Sequence, residues 1–438
     1  VDGWKVNGPE RHAGQGRNEN DKAMTRSRHV RALFVGGPMY DPLYDAIPAF
    51  ERQSGYVVDV VGQLPHPALN TMVRQVFDGG MADIDLLSTH SKYAPSQAQW
   101  LMPLDGFLPD ELIGDLLPRP HELSRIDGVL LQVPRNLDVR LLHYRRDLFE
   151  NARMQDEFAS EYRRPLEVPG SWSELADVAS FLARPNGDGL HCSGFLFPGR
   201  DSGLFGTFYE LLVGSGGALF DEELKPSFAS PAGVWAAQFL ADLYDTRRVT
   251  PRELPAWHYD EISAEFREGH AAMVCDWPGS YHLYRSPETC RVAEHIGLAL
   301  LPAGTAGVRA AYSGCHSFAI PRSAQNREGG LELLTFLTSF DSQLGEARRG
   351  SIPCRASALA RIREEASADP TAAHRWELLA ATEETMIVPP RFAAYPQCED
   401  VIWQAVQHAM RGKISATEAV ERAAAEAQSI LDAQVGAL

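Results

Sequence analysis

No stretch of this 438-residue chain approaches the roughly 18–20 consecutive apolar residues needed to span a bilayer, so no transmembrane helix is expected. Cysteine is sparse. The six thiols (Cys192, Cys275, Cys290, Cys315, Cys354 and Cys398) form no CxxC pair, and none has a histidine at zinc-finger spacing. Scattered buried thiols and one or two disulfides both fit that pattern, so cysteine use leaves the compartment open. Positive charge is in short supply: 41 Lys and Arg stand against 58 Asp and Glu, a net charge of −17. Such a surface repels nucleic acid and anionic membrane, though a local field can still hold an anionic small ligand. The chain lacks GxGxxG, GxSxG and HExxH. "GSGG" at Gly214–Gly217 has no Walker Lys-Ser/Thr and closes a helical pattern instead of opening one, so it reads as a helix stop. Internal repeats are absent. No cofactor and no metal is expected.

What is present is ordinary soluble composition, 44% hydrophobic and 23% charged, at a length suited to two or more domains. The first thirty residues are polar, rich in Gly and Asn, and without periodicity, which predicts a disordered or tag-like tail. They contain no apolar signal core. Either a signal was removed from an exported protein, or Met24 is a start codon. From Arg31 the pattern becomes regular. "RALFVGG", "YVVDVVG" and "ADIDLLST" read as strands separated by the amphipathic helices "PLYDAIPAFERQSG" and "PALNTMVRQVFDGG", the alternation of an α/β lobe. Helix, strand and glycine signals continue to about Ser351, beyond which the chain reads as helix-rich. "GSWSELADVASFLARPNGDG" predicts a helix capped by Ser171 or Ser173 and stopped near Gly187 or Gly189.

Ligands of open α/β sheets sit at the C-terminal ends of the strands. That rule nominates Tyr40 and Asp41 after the first strand, and His90 and Tyr93 after the third. Trp277 in "CDWPGS" falls where a strand gives way to Pro and Gly, and a ring there could stack on the apolar face of a sugar. Trp172 and Trp235 have helical apolar neighbours and read as core. Asn136, Asp138 and Arg140 interrupt the apolar strand "VPRNLDVRLLHY", either as a solvated face or as the wall of a cleft.

Several of these stretches, in order, resemble the extracellular solute-binding proteins of ABC importers, in particular the sugar-binding group related to maltose-binding protein. They are "IPAFERQSGYVVDVV", "DIDLLSTH" with "QWLMPLDGFL", "DGVLLQVPRNLDVRLLHYRRDLF", "GSWSELADVASFL", "FREGHAAMVCDWPGS", "IGLALLPAG", "HSFAIPRSA" and "GKISATEAVERAAAEAQSILD". The resemblance implies a two-lobed periplasmic-binding-protein type II α/β fold, each lobe a doubly wound sheet flanked by helices, with a hinge between them. The lobes would be 31–137 with 303–350, and 138–302 with 351–438. It puts Asn136 and Asp138 at the crossing, beside the ligand. Gly314 and His316 belong to a segment that departs from the family's usual glycines and aromatic. Arg355, Arg391 and Tyr395 stand where the family often has ligand- or hinge-proximal residues. Arg355, His316 and Arg140 together would suit an acidic sugar. The implied function is capture of a carbohydrate or sugar derivative for a membrane ABC permease by a monomer, without catalysis, in the periplasm or outside the cell, with membrane tethering of the full precursor as an option. A ligand sensor for a signalling receptor and a glycoside-active enzyme are the alternatives.

Overall fold

The computed structural model describes residues 28–80, 83–183 and 192–435. The expected N-terminal tail lies almost wholly outside the described residues, as do Met24 and the glycines proposed to stop the helix after Ser171. The described residues form twelve strands: β1 (His29–Val35), β2 (Val57–Leu64), β3 (Leu86–His90), β4 (Arg125–Ile126), β5 (Val129–Leu130), β6 (Val133–Val139), β7 (Leu141–Arg145), β8 (Met273–Asp276), β9 (Ile296–Ala299), β10 (Ala311–Ala319), β11 (Ile352–Pro353) and β12 (Met386–Ile387). The larger sheet has the order β11-β6-β10-β3-β1-β2, with β12 pairing β10. β1 runs parallel to β2 and β3, whereas β10 is antiparallel to β3 and β6.

Period-2 alternation explains how this sheet is covered. Ala32 and Phe34 of β1 enter a core with Leu43, Ile47 and Phe50 of the helix Asp41–Ser54 and Leu333, Leu334 and Leu337 of the helix Arg327–Leu337. Leu33 and Val35 face the other way, against Leu69 and Val73 of the helix His66–Asp78. The first of these helices stops at Gly55, whose φ of 75° is the left-handed conformation predicted for a helix stop, and whose N–H bonds Glu51 O. Full burial of a side chain such as Phe34 is worth roughly 1.5–3 kcal/mol.

The second sheet is smaller and antiparallel, in the order β8-β7-β9. Its core surrounds Trp172, Phe195, Phe205 and Phe208, and the C-terminal helices Tyr395–Met410 and Ala416–Val435 pack on Asp201–Gly214 and Pro231–Ala241. Trp172 is buried edge-on to Phe195 and Phe239, as expected, and of the two serines offered as N-cap it is Ser171 that caps the helix, in a capping box with Glu174. The strand expected in the segment 191–199 survives, in its described part, only as isolated parallel bridges at Ser193 and Leu196. The Gly-rich run at 214 ends the helix Asp201–Gly214. All six cysteines are free thiols, five of them buried.

One strand joins the two sheets. β6 pairs with β10 and β11 in the first sheet, and after Arg140 the chain continues as β7 in the second. Asn136, Asp138 and Arg140 therefore stand at the crossing, and all three are buried. The solvated-face reading of this segment is thereby excluded. Among the described residues, no helix is long and apolar enough to cross a membrane.

Candidate functional site

The C-terminal ends of β1, β2 and β3 face the second sheet, and a cavity of about 70 Å³ lies between them. The first lobe supplies Met39 and Tyr40 after β1, His66 after β2, and His90 with Lys92 around the end of β3. Asp138 enters from β6, and Tyr312 and His316 from β10. Ser202, His258, Tyr259, Asp260 and Trp277 close the space from the other side.

Register explains why the polar groups converge. His316 of β10 pairs with His90 on β3 and with Asn136 on β6, so three adjacent strands present these side chains at one level. Asp138 stands two residues along β6, on the same face. Opposite Asp138 is Gly314. A Cβ there would lie 2.3 Å from His90 Cε1, so the bare backbone is what admits the His90 ring.

His316 is the hub. Its Nε2 stands 2.7 Å from Asp138 Oδ2 and 3.2 Å from Tyr40 Oη, and its Nδ1 stands 2.5 Å from His66 Nε2. The His66 ring stacks on it at 4.4 Å between centroids, and the His90 ring meets it edge-on at 5.2 Å. Asn136 Nδ2 donates to Asp138 Oδ1 at 2.7 Å and fixes that carboxylate. Burial, and next the neighbouring His316, hold His66 and His90 well below the usual imidazole range, so both are neutral at pH 7. Burial brings His258 down to about 3.

A second polar cluster adjoins this one. Lys92 Nζ donates to Glu399 Oε1 at 2.6 Å and to Tyr312 Oη at 2.8 Å, while Tyr93 and Tyr395 hydroxyls donate to the same carboxylate. Burial lowers the Lys92 ammonium against the pull of Glu399. Beyond Ser202, which lines both spaces, a groove of about 700 Å³ runs between the helix His66–Asp78 and the helices Asp201–Gly214 and Tyr395–Met410. Asn70, Gln75, Asp201, Glu399, Asp400, Trp403 and Gln404 are among its walls. Burial raises the Asp201 and Asp400 carboxyls.

Of the residues nominated from sequence, Tyr40, His90, Asp138, Trp277 and His316 line the cavity, and Tyr93 lines the groove. Trp277 packs against Tyr259 and Tyr312 with the Arg140 guanidinium over its ring. Asn136 and Gly314 act one layer back, on Asp138 and His90. Asp41 is exposed at the start of its helix, outside both spaces. Arg355 is engaged by Asp115 at 2.7 Å, and Arg391 donates to the carbonyls of Ser91, Leu123 and Arg125. Tyr395 is fully buried against Phe205 and Phe392. Arg140 pairs with Glu210, so the anion pocket imagined from Arg355, His316 and Arg140 does not assemble. Sequence reading missed His66, Lys92, Tyr312, Glu399 and Trp403. His66 was reachable, because it follows β2 at the same sheet edge that nominated Tyr40 and His90. Glu399 and Trp403, four apart on a helix, carry no such signal.

Comparison with known proteins agrees with this architecture. A family profile described as "Bacterial extracellular solute-binding protein" matches residues 36–343. The "Probable ABC transporter-binding protein" of Deinococcus radiodurans is 25% identical over 320 residues, covering 72% of this chain and 73% of that protein. The "Mannitol-binding protein" of Pseudomonas aeruginosa is 26% identical over 263 residues, 60% of this chain and 57% of that one. The structure of maltose-bound MalE3 of T. maritima superposes with a TM-score of 0.80 at 26% identity, covering 92% of this chain and 100% of that chain. Two sheets facing a shared cleft, and a family match over most of the sequence, lead to one conclusion: the chain belongs to the bacterial extracellular solute-binding protein family, the solute-binding components of ABC transporters.

Proposed function

We propose that the cleft captures a neutral polyhydroxylated solute, a small sugar or a sugar alcohol, and presents it to an ABC permease outside the cell membrane. The observation behind this reading is the charge and polarity of the walls. Asp138 and Asp260 line the cavity, and Asp201, Glu399 and Asp400 line the groove. Lys92 is the one cation among these lining residues, and Glu399 already engages it. Carboxylates and amides can each take two hydroxyls from a polyol, whereas a sugar acid or phosphate would meet a field of its own sign. Trp403 offers a ring for the apolar face of a sugar. The mannitol-named relative and the maltose-bound neighbour support the same solute class. The lobe limits read from sequence, 31–137 with 303–350 and 138–302 with 351–438, remain our proposal for the two closing bodies, with β6–β7 as one crossing. We extend the proposal to a monomer that returns its ligand chemically unchanged.

A thermal-shift panel tests this. Sugars, sugar alcohols, sugar acids and sugar phosphates are each added to the purified chain. A ligand of the native state at a hundredfold excess over Kd stabilises it by about 2.7 kcal/mol. Shifts among neutral polyols are expected. Shifts confined to the anionic derivatives would overturn the reading.

A further inference from the structure

We infer that the floor of the cleft is a divalent transition-metal site, with His90, Asp138 and His316 as ligands and a fourth position open toward the cavity. This goes beyond the carbohydrate reading and does not depend on it. The donor atoms of these three buried residues all lie within 4.8 Å of one another. Ligand atoms on a tetrahedral zinc, at bonds of about 2.0–2.1 Å, stand roughly 3.4 Å apart, so a small turn of the side chains closes the set.

The hydrogen bonding around His316 leaves a place for a cation. Its Nδ1 stands 2.5 Å from His66 Nε2, and its Nε2 stands 2.7 Å from Asp138 Oδ2. Where His66 Nε2–H donates to Nδ1, a proton on His316 Nε2 fills the contact with Asp138. Where Nδ1 donates to His66 instead, Nε2 turns a lone pair toward the carboxylate, and a metal ion can stand between the two. The supporting contacts are those of a built metal site. His66 orients one ligand from behind, and Asn136 Nδ2 holds Asp138 Oδ1 so that Oδ2 faces His316. Gly314 leaves room for the His90 ring. The Lys92 amide donates to His90 Nδ1 at 3.2 Å and helps to fix that ring. Two imidazoles with one carboxylate suit zinc, cobalt or nickel and not calcium or magnesium, which take oxygen sets. No sequence motif reveals the set, because its members come from three separate strands.

The full chain, stripped with chelator and dialysed, is titrated with Zn²⁺ by calorimetry and with Co²⁺ by visible absorption. One equivalent per chain and a ligand-field band of a low-symmetry cobalt site are expected. His90→Gln and His316→Gln are expected to weaken Zn²⁺ at least about tenfold, and exposed His374→Gln to leave it unchanged. Near-ultraviolet circular dichroism checks that the variants are folded, and the wild-type cobalt spectrum stands independently of them. Absence of a stoichiometric zinc heat and cobalt band, or equal zinc affinity in folded His90→Gln and His316→Gln, overturns the inference. A neutral-polyol thermal shift in the metal-free protein, alongside either of those results, would show that the metal site fails while the solute reading stands.

Discussion

Replacing Glu210 by Gln is expected to cost about 3–5 kcal/mol of stability, because it strands a buried guanidinium. Arg140 sits where β6 becomes β7, and its side chain and that of Glu210 are both 0% exposed. The contact is a two-pronged fork: Nε donates to Oε1 at 2.9 Å, and Nη2 donates to Oε2. Glu210 Oε1 also accepts the Tyr312 amide at 2.8 Å, which ties the helix Asp201–Gly214 to β10 of the first sheet. Around the guanidinium lie the rings of Trp277 and Tyr312, at 5.7 and 5.6 Å. Gln keeps one carbonyl for these donors and removes the charge. The Arg140→Met/Glu210→Gln double variant removes both charges and is expected to recover most of the loss. The assay is equilibrium unfolding in urea followed by tryptophan fluorescence, with all four members of the cycle. A loss below about 1 kcal/mol for Glu210→Gln, the range of a surface pair, would refute the reasoning.

Three other predictions follow from single contacts. Asp276 is fully buried, and burial raises its carboxyl to about 6 despite bonds from Tyr284 Oη and the Trp277 amide. With its folded value above the unfolded value of about 3.9, the folded state holds the proton more tightly; stability therefore falls as pH rises from about 4 to 6, by roughly 3 kcal/mol. Asp276→Asn is expected to remove that slope in urea unfolding measured across pH 4–7, and an unchanged slope would contradict the assignment. Gly314→Ala must push the His90 ring aside and is expected to cost about 1–3 kcal/mol; the measurements are urea unfolding and the histidine ring signals in NMR, and an unmoved His90 resonance would count against the packing argument. Arg355→Met breaks the partly buried pair with Asp115 and is expected to lower stability while leaving solute affinity unchanged, since Arg355 lies outside both spaces; a changed affinity in calorimetry would put it back at the ligand.

Much of the fold was legible where short-range rules governed it. Gly55 stops a helix because glycine alone is at ease at φ 75°, and Ser171 caps one because Glu174 stands three residues on. The strand-end rule found Tyr40 and His90, and it applied equally to His66, which follows β2. The arginines were less legible. A guanidinium in a sequence reads as a free anion receptor, yet Arg140, Arg355 and Arg391 are all engaged by Glu210, Asp115 or backbone carbonyls. Those partners lie 70 to 300 residues away in sequence. Tyr395 followed the same course: its OH serves Glu399 one helical turn on, and its ring fills the core. Long-range pairing, which propensity and spacing do not encode, decided which polar residues were left to face the cleft.

The most direct test of the account is a calorimetric titration of D-mannitol and maltose into the wild-type chain and Trp403→Ala. One site per chain is expected for at least one of the two, near the micromolar range, equivalent to about 8 kcal/mol. Loss of the Trp403 ring is expected to weaken it roughly tenfold to a hundredfold, the effect of about 1.4–2.8 kcal/mol of lost ring contact. Equal affinity in the two proteins, or heat only from a sugar acid or sugar phosphate, would contradict the claim that this acidic, tryptophan-walled cleft captures a neutral polyol.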